Sequence, residues 1–228
     1  MKKRLSGGML CLWLGASVLF SVCRIGRDSE SYDVVISGGT VYDGSGSPGR
    51  LADVGVREGK IIKIGRIGRT KGVARVIDAR GLAVAPGFID IHTHCDADIG
   101  NPETRANLNY LSQGVTTVVT GNCGTGTYRF SGLRKTLEGG GIGTNLIHLV
   151  GLGPIRAAVL GTGDRQPSSE ELEKMKSLLL QALNEGAWGL STGLMYIPDR
   201  YAKTEEIVAL TKVVAEQGGL FSPHQRNE

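Results

Sequence analysis

The sequence predicts an α/β protein, in which a partial (β/α) TIM-like barrel of about five βα units follows a small β-sandwich-like domain and an N-terminal signal segment. After residue 85, short β-branched runs alternate with helical stretches, which is typical of a parallel sheet. Residues 28–84 contain only short strand-like runs separated by turn residues. Residues 1–27 combine basic residues with an apolar run, which is typical of a leader.

The composition excludes several functional classes. The chain has 228 residues and 40% hydrophobic content, which is enough for one or two domains with a real core. The net charge of +4 is small, and no basic stripe is interleaved with aromatic residues, so we expect no nucleic-acid partner. The glycine-rich stretches 121–126 and 139–143 lack the G-x-G-x-x-G order, which argues against nucleotide binding.

Residues 1–27 predict a signal or anchor segment. Basic residues at 2–4 precede an apolar run over 9–22 that is short for a membrane span. We therefore expect an exported protein, periplasmic or extracellular, with any membrane attachment confined to this segment. Cleavage of the leader, lipidation at Cys23, retention as an anchor and an inaccurate start site are all left open.

Residues 28–84 predict a small domain built from β-strands. The strand-like runs are residues 32–41, which contain a Gly-Gly turn, and residues 52–57, 60–64 and 75–78. A sheet of this size buries only a marginal core when it stands alone. We therefore expect this domain to be incomplete and to need a partner.

Residues 85–228 predict the first part of a barrel. The expected strands are residues 88–94, 115–121, 145–150, 187–191 and 220–224. The expected helices are residues 105–111, 131–137, 168–185 and 204–217. A closed barrel of eight units needs about 250 residues, so five units indicate a truncated chain with five-eighths of a barrel. A complete, smaller open sheet is the alternative.

Candidate metal ligands stand at the carboxyl ends of three expected strands. His92 and His94 end the first strand, Cys123 follows the second, and His224 ends the fifth. These ends meet at one mouth of a parallel barrel, where such enzymes keep their active sites. Imidazole and thiolate groups suit zinc, so the four residues predict a metal centre. The alternatives are hydrogen-bonded surface histidines and a small buried cysteine.

Two further residues are candidates for substrate binding. Arg226 lies one strand period beyond His224 and could hold a substrate carboxylate, or it could form a structural ion pair with Glu228. Tyr196 follows the fourth strand and either lines the substrate pocket or packs over the rim of the barrel.

Cys95 and His148 are expected to be packed side chains. Cys95 directly follows His94 but points to the opposite face of the expected strand, and His148 lies inside the third strand. A disulfide between Cys95 and Cys123 is left open, although it would remove the proposed thiolate ligand.

Five motifs in order resemble the N-acyl-D-amino-acid deacylase (D-aminoacylase) branch of the amidohydrolase superfamily. They are residues 85–94, 121–124, 149–161, 189–196 and 224–228. Residues 33–46 and 53–65 are similar to the small β-domain of that superfamily. The resemblance implies a zinc-dependent hydrolase of the C–N amide bond of N-acyl-D-amino acids, which are small-molecule substrates. It also implies one tight Zn²⁺ site and leaves a second, weaker site open.

The resemblance also implies a role for each matched residue. His92 and His94 match the weaker metal position, whereas Cys123 and His224 match ligands of the tight zinc. Amidohydrolases with two metals use a carboxylated lysine after strand four, but residues 189–196 contain no lysine, which fits the D-aminoacylase branch. Leu152 departs from the family, which has a histidine there. The general-base aspartate and a further zinc histidine are expected beyond residue 228, so the catalytic residues are unassigned.

Three functions stay open at this point. The first is the deacylase, present as an N-terminal fragment whose 228 residues alone we expect to be inactive. The second is another amidohydrolase, which would act on a cyclic amide in the manner of a dihydropyrimidinase or hydantoinase, or on a dipeptide. The third is a fragment without catalysis that at most binds a metal.

Overall fold

Two structural units, divided between Val84 and Ala85, make up the computed structural model of the chain. It describes residues 31–68 and 72–227. The predicted signal or anchor segment at residues 1–27 lies outside these ranges and stays a prediction. Among the described residues, no helix is both long enough and apolar enough to cross a membrane.

The first unit contains a five-stranded sheet with the order β3-β2-β1-β4, in which β5 pairs with the end of β1. Its strands are β1 (Val34–Val41), β2 (Arg50–Arg57), β3 (Lys60–Gly65), β4 (Arg75–Asp78) and β5 (Ala83–Val84). The expected Gly-Gly turn is a bulge inside β1, because Gly38 takes a φ of 76° while the strand continues on both sides. The described strands form one sheet, so the sandwich-like arrangement stays a prediction.

The second unit contains five parallel strands in the order β10-β9-β8-β7-β6. They are β6 (Phe88–Asp90), β7 (Val115–Thr120), β8 (Asn145–Gly151), β9 (Gly189–Gly193) and β10 (Leu220–His224). The helices are α1 (Leu108–Leu111), α2 (Phe130–Gly140), α3 (Leu152–Leu160), α4 (Ser169–Asn184) and α5 (Thr204–Glu216), with a 3₁₀ helix at Asp199–Tyr201. Strands and helices alternate, which confirms the predicted α/β class.

The parallel sheet is curled. β6 and β10 are its two edges, yet the side chain of Asn122 reaches both sides. Its Nδ2 donates to the Thr93 carbonyl after β6 at 3.4 Å, and its Oδ1 accepts from Ser222 Oγ in β10 at 3.1 Å. Neighbouring strands lie about 4.8 Å apart, so one side chain cannot bridge the edges of a flat five-stranded sheet. The strands therefore form a half-barrel whose carboxyl ends converge.

β6 is shorter than the expected strand of residues 88–94. It ends at Asp90, whose carboxylate accepts the His92 N–H at 3.1 Å and so replaces a strand hydrogen bond with a local one. His92 and His94 therefore lie in the connection after the strand, and the prediction that they belong to it was wrong. Thr93 still hydrogen-bonds through its N–H to the Val119 carbonyl at 2.9 Å, which keeps this connection beside β7.

Helix α3 was not predicted. Gly153 and Pro154 both lie in the first turn of the helix, where a proline is tolerated because its missing N–H has no helical partner. Leu152, which departs from the resembled family, is fully buried at the start of this helix. The side chain therefore belongs to the core and does not face the mouth of the half-barrel.

The main core fills the space between the sheet and helices α3, α4 and α5. It includes Val150 and Leu190 from the strands and Ile155, Met175 and Leu210 from the helices. Helix α4 starts as predicted, because Ser168 Oγ accepts the Glu171 N–H at 3.2 Å and the Glu171 carboxylate accepts the Ser168 N–H at 2.9 Å. Reciprocal capping fixes where this helix begins.

A buried ion pair joins α3 to α5. Arg156 is fully buried, and its Nε donates to the Glu206 carboxylate at 2.9 Å. Its Nη1 also donates to the Pro198 carbonyl at 2.7 Å, and its Nη2 donates to the Arg165 carbonyl at 2.9 Å. The guanidinium group thus satisfies backbone atoms of two loops as well as the carboxylate.

We predict that Arg156→Met destabilises the fold by about 3–5 kcal/mol, because it leaves the Glu206 carboxylate buried without its partner. The control is Lys176→Met, which removes the exposed pair with Glu173 and is expected to cost less than about 1 kcal/mol. Both values come from urea unfolding followed by circular dichroism. Equal losses for the two variants would contradict the assigned role of Arg156.

Candidate metal centre

The structure brings three of the four predicted metal ligands together at the carboxyl ends of the parallel strands, and the fourth, His224, contacts the cysteine of this cluster. Donor atoms of His92, His94 and Cys123 all lie within 4.8 Å of one another. Cys123 Sγ is 3.4 Å from His92 Nε2 and 3.2 Å from His224 Nδ1. Residues from three different strand ends therefore meet at one point, which only the curled sheet allows.

The donor set fits a zinc ion. Zn–S and Zn–N bonds of about 2.3 and 2.0 Å at tetrahedral angles place ligand atoms about 3.5 Å apart. The separations of Cys123 Sγ from His92 and from His224 are close to that value. Cys123 is 9% exposed, whereas His92 and His94 face solvent, so the sulfur is shielded while the imidazole side of the site stays open.

Cys123 lies in a tightly folded segment, residues 121–125, which we call the Cys123 loop. Cys123 itself takes a left-handed φ of 54°, and Gly121 and Gly124 take 80° and 75°. A Cβ at Gly121 would lie 2.0 Å from the Leu149 carbonyl, so only glycine fits there. Ser191 Oγ in β9 accepts the Gly124 N–H at 3.0 Å and donates to the Gly121 carbonyl, which anchors the loop to the next strand but one.

His224 is surrounded by the segment that follows β9. Met195 Sδ lies 3.2 Å from His224 Nε2, and the Tyr196 ring meets the imidazole edge to face with 5.2 Å between ring centroids. The Leu194 N–H donates to the His224 carbonyl at 3.1 Å. Tyr196 is 52% exposed beside the metal centre, and its predicted role in substrate binding stays a prediction. The sequence pattern gave no sign that Met195 would reach His224.

Arg226 contacts backbone oxygens. Its two terminal nitrogens donate to the carbonyls of Arg200 and Ala202, the second at 2.8 Å. It also lines an open cleft of about 900 Å³ beside the metal centre, together with Met195, Arg200 and Lys203 among other residues. Its predicted contact with a substrate carboxylate therefore stays a prediction, and Glu228, the alternative partner, lies outside the described residues.

Cys95 and His148 are packed side chains, as expected. Cys95 is 3% exposed, and burial raises the pKa of its thiol. His148 is 1% exposed, its Nε2 hydrogen-bonds to the Thr127 carbonyl at 2.9 Å, and burial lowers the pKa of the imidazole. Neither Cys95 nor Cys123 forms a disulfide, so the pairing left open above is wrong.

Asp199 is a buried carboxyl group near the metal centre that the sequence did not single out. It is 2% exposed, and its Oδ2 accepts the Gly193 N–H at 2.7 Å. Burial raises the pKa of Asp199 to about 7, although the Gly193 N–H and the charge of Arg156 act in the opposite direction. An aspartate between Pro198 and Arg200 is typical of an exposed turn, so no sequence signal indicated burial.

We predict that Asp199→Asn changes how stability depends on pH. The folded protein keeps the Asp199 proton up to about pH 7, while the unfolded chain releases it near 4, so this group makes wild-type stability fall as pH rises between these values. Asparagine cannot ionise. Relative to wild type, the free energy of unfolding of the variant should therefore rise by on the order of 2–4 kcal/mol between pH 4.5 and pH 8.

The measurement is urea unfolding of both proteins at each pH. The matched control is Asp164→Asn, which changes an exposed carboxylate and should leave the difference between the two pH values unchanged. If the free energies of unfolding of Asp199→Asn and wild type change with pH in the same way across this range, the Asp199 carboxyl is already ionised in the folded state.

Comparison with known proteins bears out the resemblance. The amidohydrolase family matches residues 75–219, more than half of the chain. The D-aminoacylase of Alcaligenes xylosoxydans xylosoxydans is 38% identical over 224 residues, which cover 88% of this chain and 46% of the relative. This chain therefore spans about half the length of the curated relatives it matches.

Solved structures agree with the sequence comparison. A crystal structure of D-aminoacylase matches with a TM-score of 0.80 at 38% identity, over 86% of this chain and 46% of that one. N-acyl-D-glutamate deacylase from Bordetella bronchiseptica, complexed with zinc and a phosphonate inhibitor, matches with a TM-score of 0.82 at 35% identity, over 87% and 46%. By its sequence and its fold, the chain belongs to the amidohydrolase family and resembles the D-aminoacylase branch.

Proposed function

We propose that this chain carries the metal centre of a zinc-dependent hydrolase that cleaves the C–N amide bond of N-acyl-D-amino acids. The observation that carries the proposal is the convergence of His92, His94, Cys123 and His224 at one edge of the half-barrel. The relatives support the substrate class, since they include D-aminoacylase and a zinc-bound N-acyl-D-glutamate deacylase.

Cys123 and His224 are the proposed ligands of the tight zinc, and His92 and His94 are proposed for the weaker position. His92 Nε2 also lies 3.4 Å from the Cys123 sulfur, so the proposed tight and weaker metal positions are both next to Cys123. A bound zinc ion lowers the pKa of its water to about 7 and polarises a carbonyl oxygen. The Cys123 thiolate supplies the anionic ligand that a carboxylated lysine supplies in other amidohydrolases.

The cleft beside His224 is the proposed entry for the substrate. Met195 and Tyr196 border the imidazole, and the cleft is lined by Arg200, Lys203 and Arg226, whose positive charge exceeds that of the two carboxylates in the same lining. Positive charge attracts the carboxylate that every N-acyl amino acid carries. We propose that the exposed ring of Tyr196 contacts the acyl group or the amino-acid side chain.

Hydrolysis adds water to the acyl carbon, breaks the C–N bond and releases a carboxylic acid and a free D-amino acid. The amine must receive a proton as it leaves, so the reaction needs a carboxylate or another proton shuttle near the carbonyl. Asp199 is unsuited to this role, because it is buried and hydrogen-bonded to the Gly193 N–H. The proposed general base is an aspartate beyond residue 228.

We predict that Cys123→Ser weakens metal binding by more than about 100-fold and removes the thiolate-to-cobalt charge-transfer band of the Co²⁺-loaded protein, because the sulfur is the proposed ligand. The matched control is Cys95→Ser, which changes the other described cysteine and should keep the band. Absorption spectra and competition with a chelator measure both effects. A band that survives Cys123→Ser and disappears with Cys95→Ser would contradict the assignment.

We further predict that the zinc-loaded protein, expressed as its gene encodes it, releases D-methionine from N-acetyl-D-methionine and acts much more slowly on the L-enantiomer. His224→Ala should abolish this release because it removes a proposed ligand of the tight zinc. Chiral chromatography of the products measures both rates.

Hydantoin and dipeptide substrates are assayed beside the acyl amino acid. Faster turnover of either one would contradict the proposed deacylase activity and favour another amidohydrolase activity. The 228 residues assayed by themselves are expected to bind zinc without turnover, because the proposed general base lies beyond them. Turnover by these residues alone would contradict that placement of the base.

A further inference from the structure

Asp199 contacts the end of β9 and the Cys123 loop. Its Oδ2 accepts the N–H of Gly193, the last residue of β9, at 2.7 Å. The next residue, Leu194, donates its N–H to the His224 carbonyl at 3.1 Å. The carboxyl group therefore holds the end of β9, which in turn holds the backbone of His224.

The same carboxyl group packs against the Cys123 loop. A Cβ built on Gly124 would lie 2.2 Å from Asp199 Oδ2, so the carboxyl oxygen occupies the space that any side chain at Gly124 would need. A Cβ built on Gly193 would lie 2.1 Å from the Cys123 carbonyl oxygen. The Cys123 loop and the end of β9 are thus in direct backbone contact, and the Asp199 carboxyl group packs against both.

The second carboxyl oxygen has no compensating hydrogen bond among the described residues. Asp199 Oδ1 is buried and unpaired, and a buried polar atom in that state costs about 1–3 kcal/mol. It lies near the first turn of α3, where a Cβ on Gly153 would be 3.1 Å away, and a helix N-terminus offsets part of that cost. An apolar residue at this position would remove the unpaired oxygen but would leave the buried Gly193 N–H without its acceptor. The task of the carboxyl group is therefore to hold the end of β9.

We propose that Asp199 is a positioning residue of the metal centre, which fixes the Cys123 loop against the end of β9 so that Cys123 and His224 share one metal ion. The inference rests on the proposed function, since it assumes that these two residues bind the metal. Cys123 depends on such support, because its left-handed backbone is uncommon for a residue with a side chain. Loosening this contact would move the sulfur relative to the His224 imidazole.

The test compares Co²⁺ binding by wild type, Asp199→Ala and Asp199→Asn, with Asp164→Ala as a control on an exposed carboxylate. We expect Asp199→Ala to bind Co²⁺ at least about 10-fold more weakly and to change the thiolate-to-cobalt band, since the sulfur loses its fixed position. Asp199→Asn should stay within about 3-fold of wild type, because its side-chain oxygen still accepts the Gly193 N–H. Circular dichroism checks that each variant is folded.

A folded Asp199→Ala with wild-type affinity and an unchanged band would overturn the proposal. If Asp199→Ala does not fold, Asp199→Glu takes its place. The longer side chain keeps the carboxyl group but cannot fit the gap beside Gly124, so it should weaken Co²⁺ binding where Asp199→Asn does not. Equal affinities for the Glu and Asn variants would overturn the proposal. Failure of wild type to show a band dependent on Cys123 would instead refute the proposed metal centre itself.

Discussion

The buried amide of Asn122 closes the curve on which the whole site depends. It hydrogen-bonds to the connection after β6 on one side and to Ser222 of β10 on the other. Because these are the two edges of the sheet, the bonds form only when the sheet curls. The curl brings His92, His94 and His224 to the same cysteine, so the candidate metal centre is a consequence of sheet curvature more than of any single strand.

Backbone packing, and not side-chain length, sets the position of the sulfur. The Cys123 loop is fixed by Ser191 through two hydrogen bonds and by contact with the end of β9, where glycines allow the chains to approach closely. The loop has little freedom to adapt to a ligand. A rigid loop suits a metal site, since ligands held in place before binding lose little conformational entropy when the ion arrives.

The sequence predicted the parallel strands well, because β-branched runs, helical periodicity and the capping box at Ser168 are local signals. Three of the four predicted ligands form one cluster, and His224 lies beside its cysteine, while their binding of a metal stays a prediction. The sequence did not predict helix α3, because glycine and proline, here Gly153 and Pro154, normally interrupt helices. It also predicted β6 too long, because the Asp90 hydrogen bond that ends the strand cannot be read from the pattern of apolar residues. Asp199 escaped notice because its burial arises from contacts with residues distant in sequence.

The short segment after β9 also has a bearing on evolvability. Two arginines from other parts of the chain hold its main chain: Arg156 binds the Pro198 carbonyl, and Arg226 binds the carbonyls of Arg200 and Ala202. The path of this segment is thus set by guanidinium groups on other elements, while the side chain of Arg200 stays exposed on the wall of the cleft. Such a segment can exchange its exposed side chains while its backbone keeps the same path, which makes it a natural place for the lining of the cleft to diverge among related proteins.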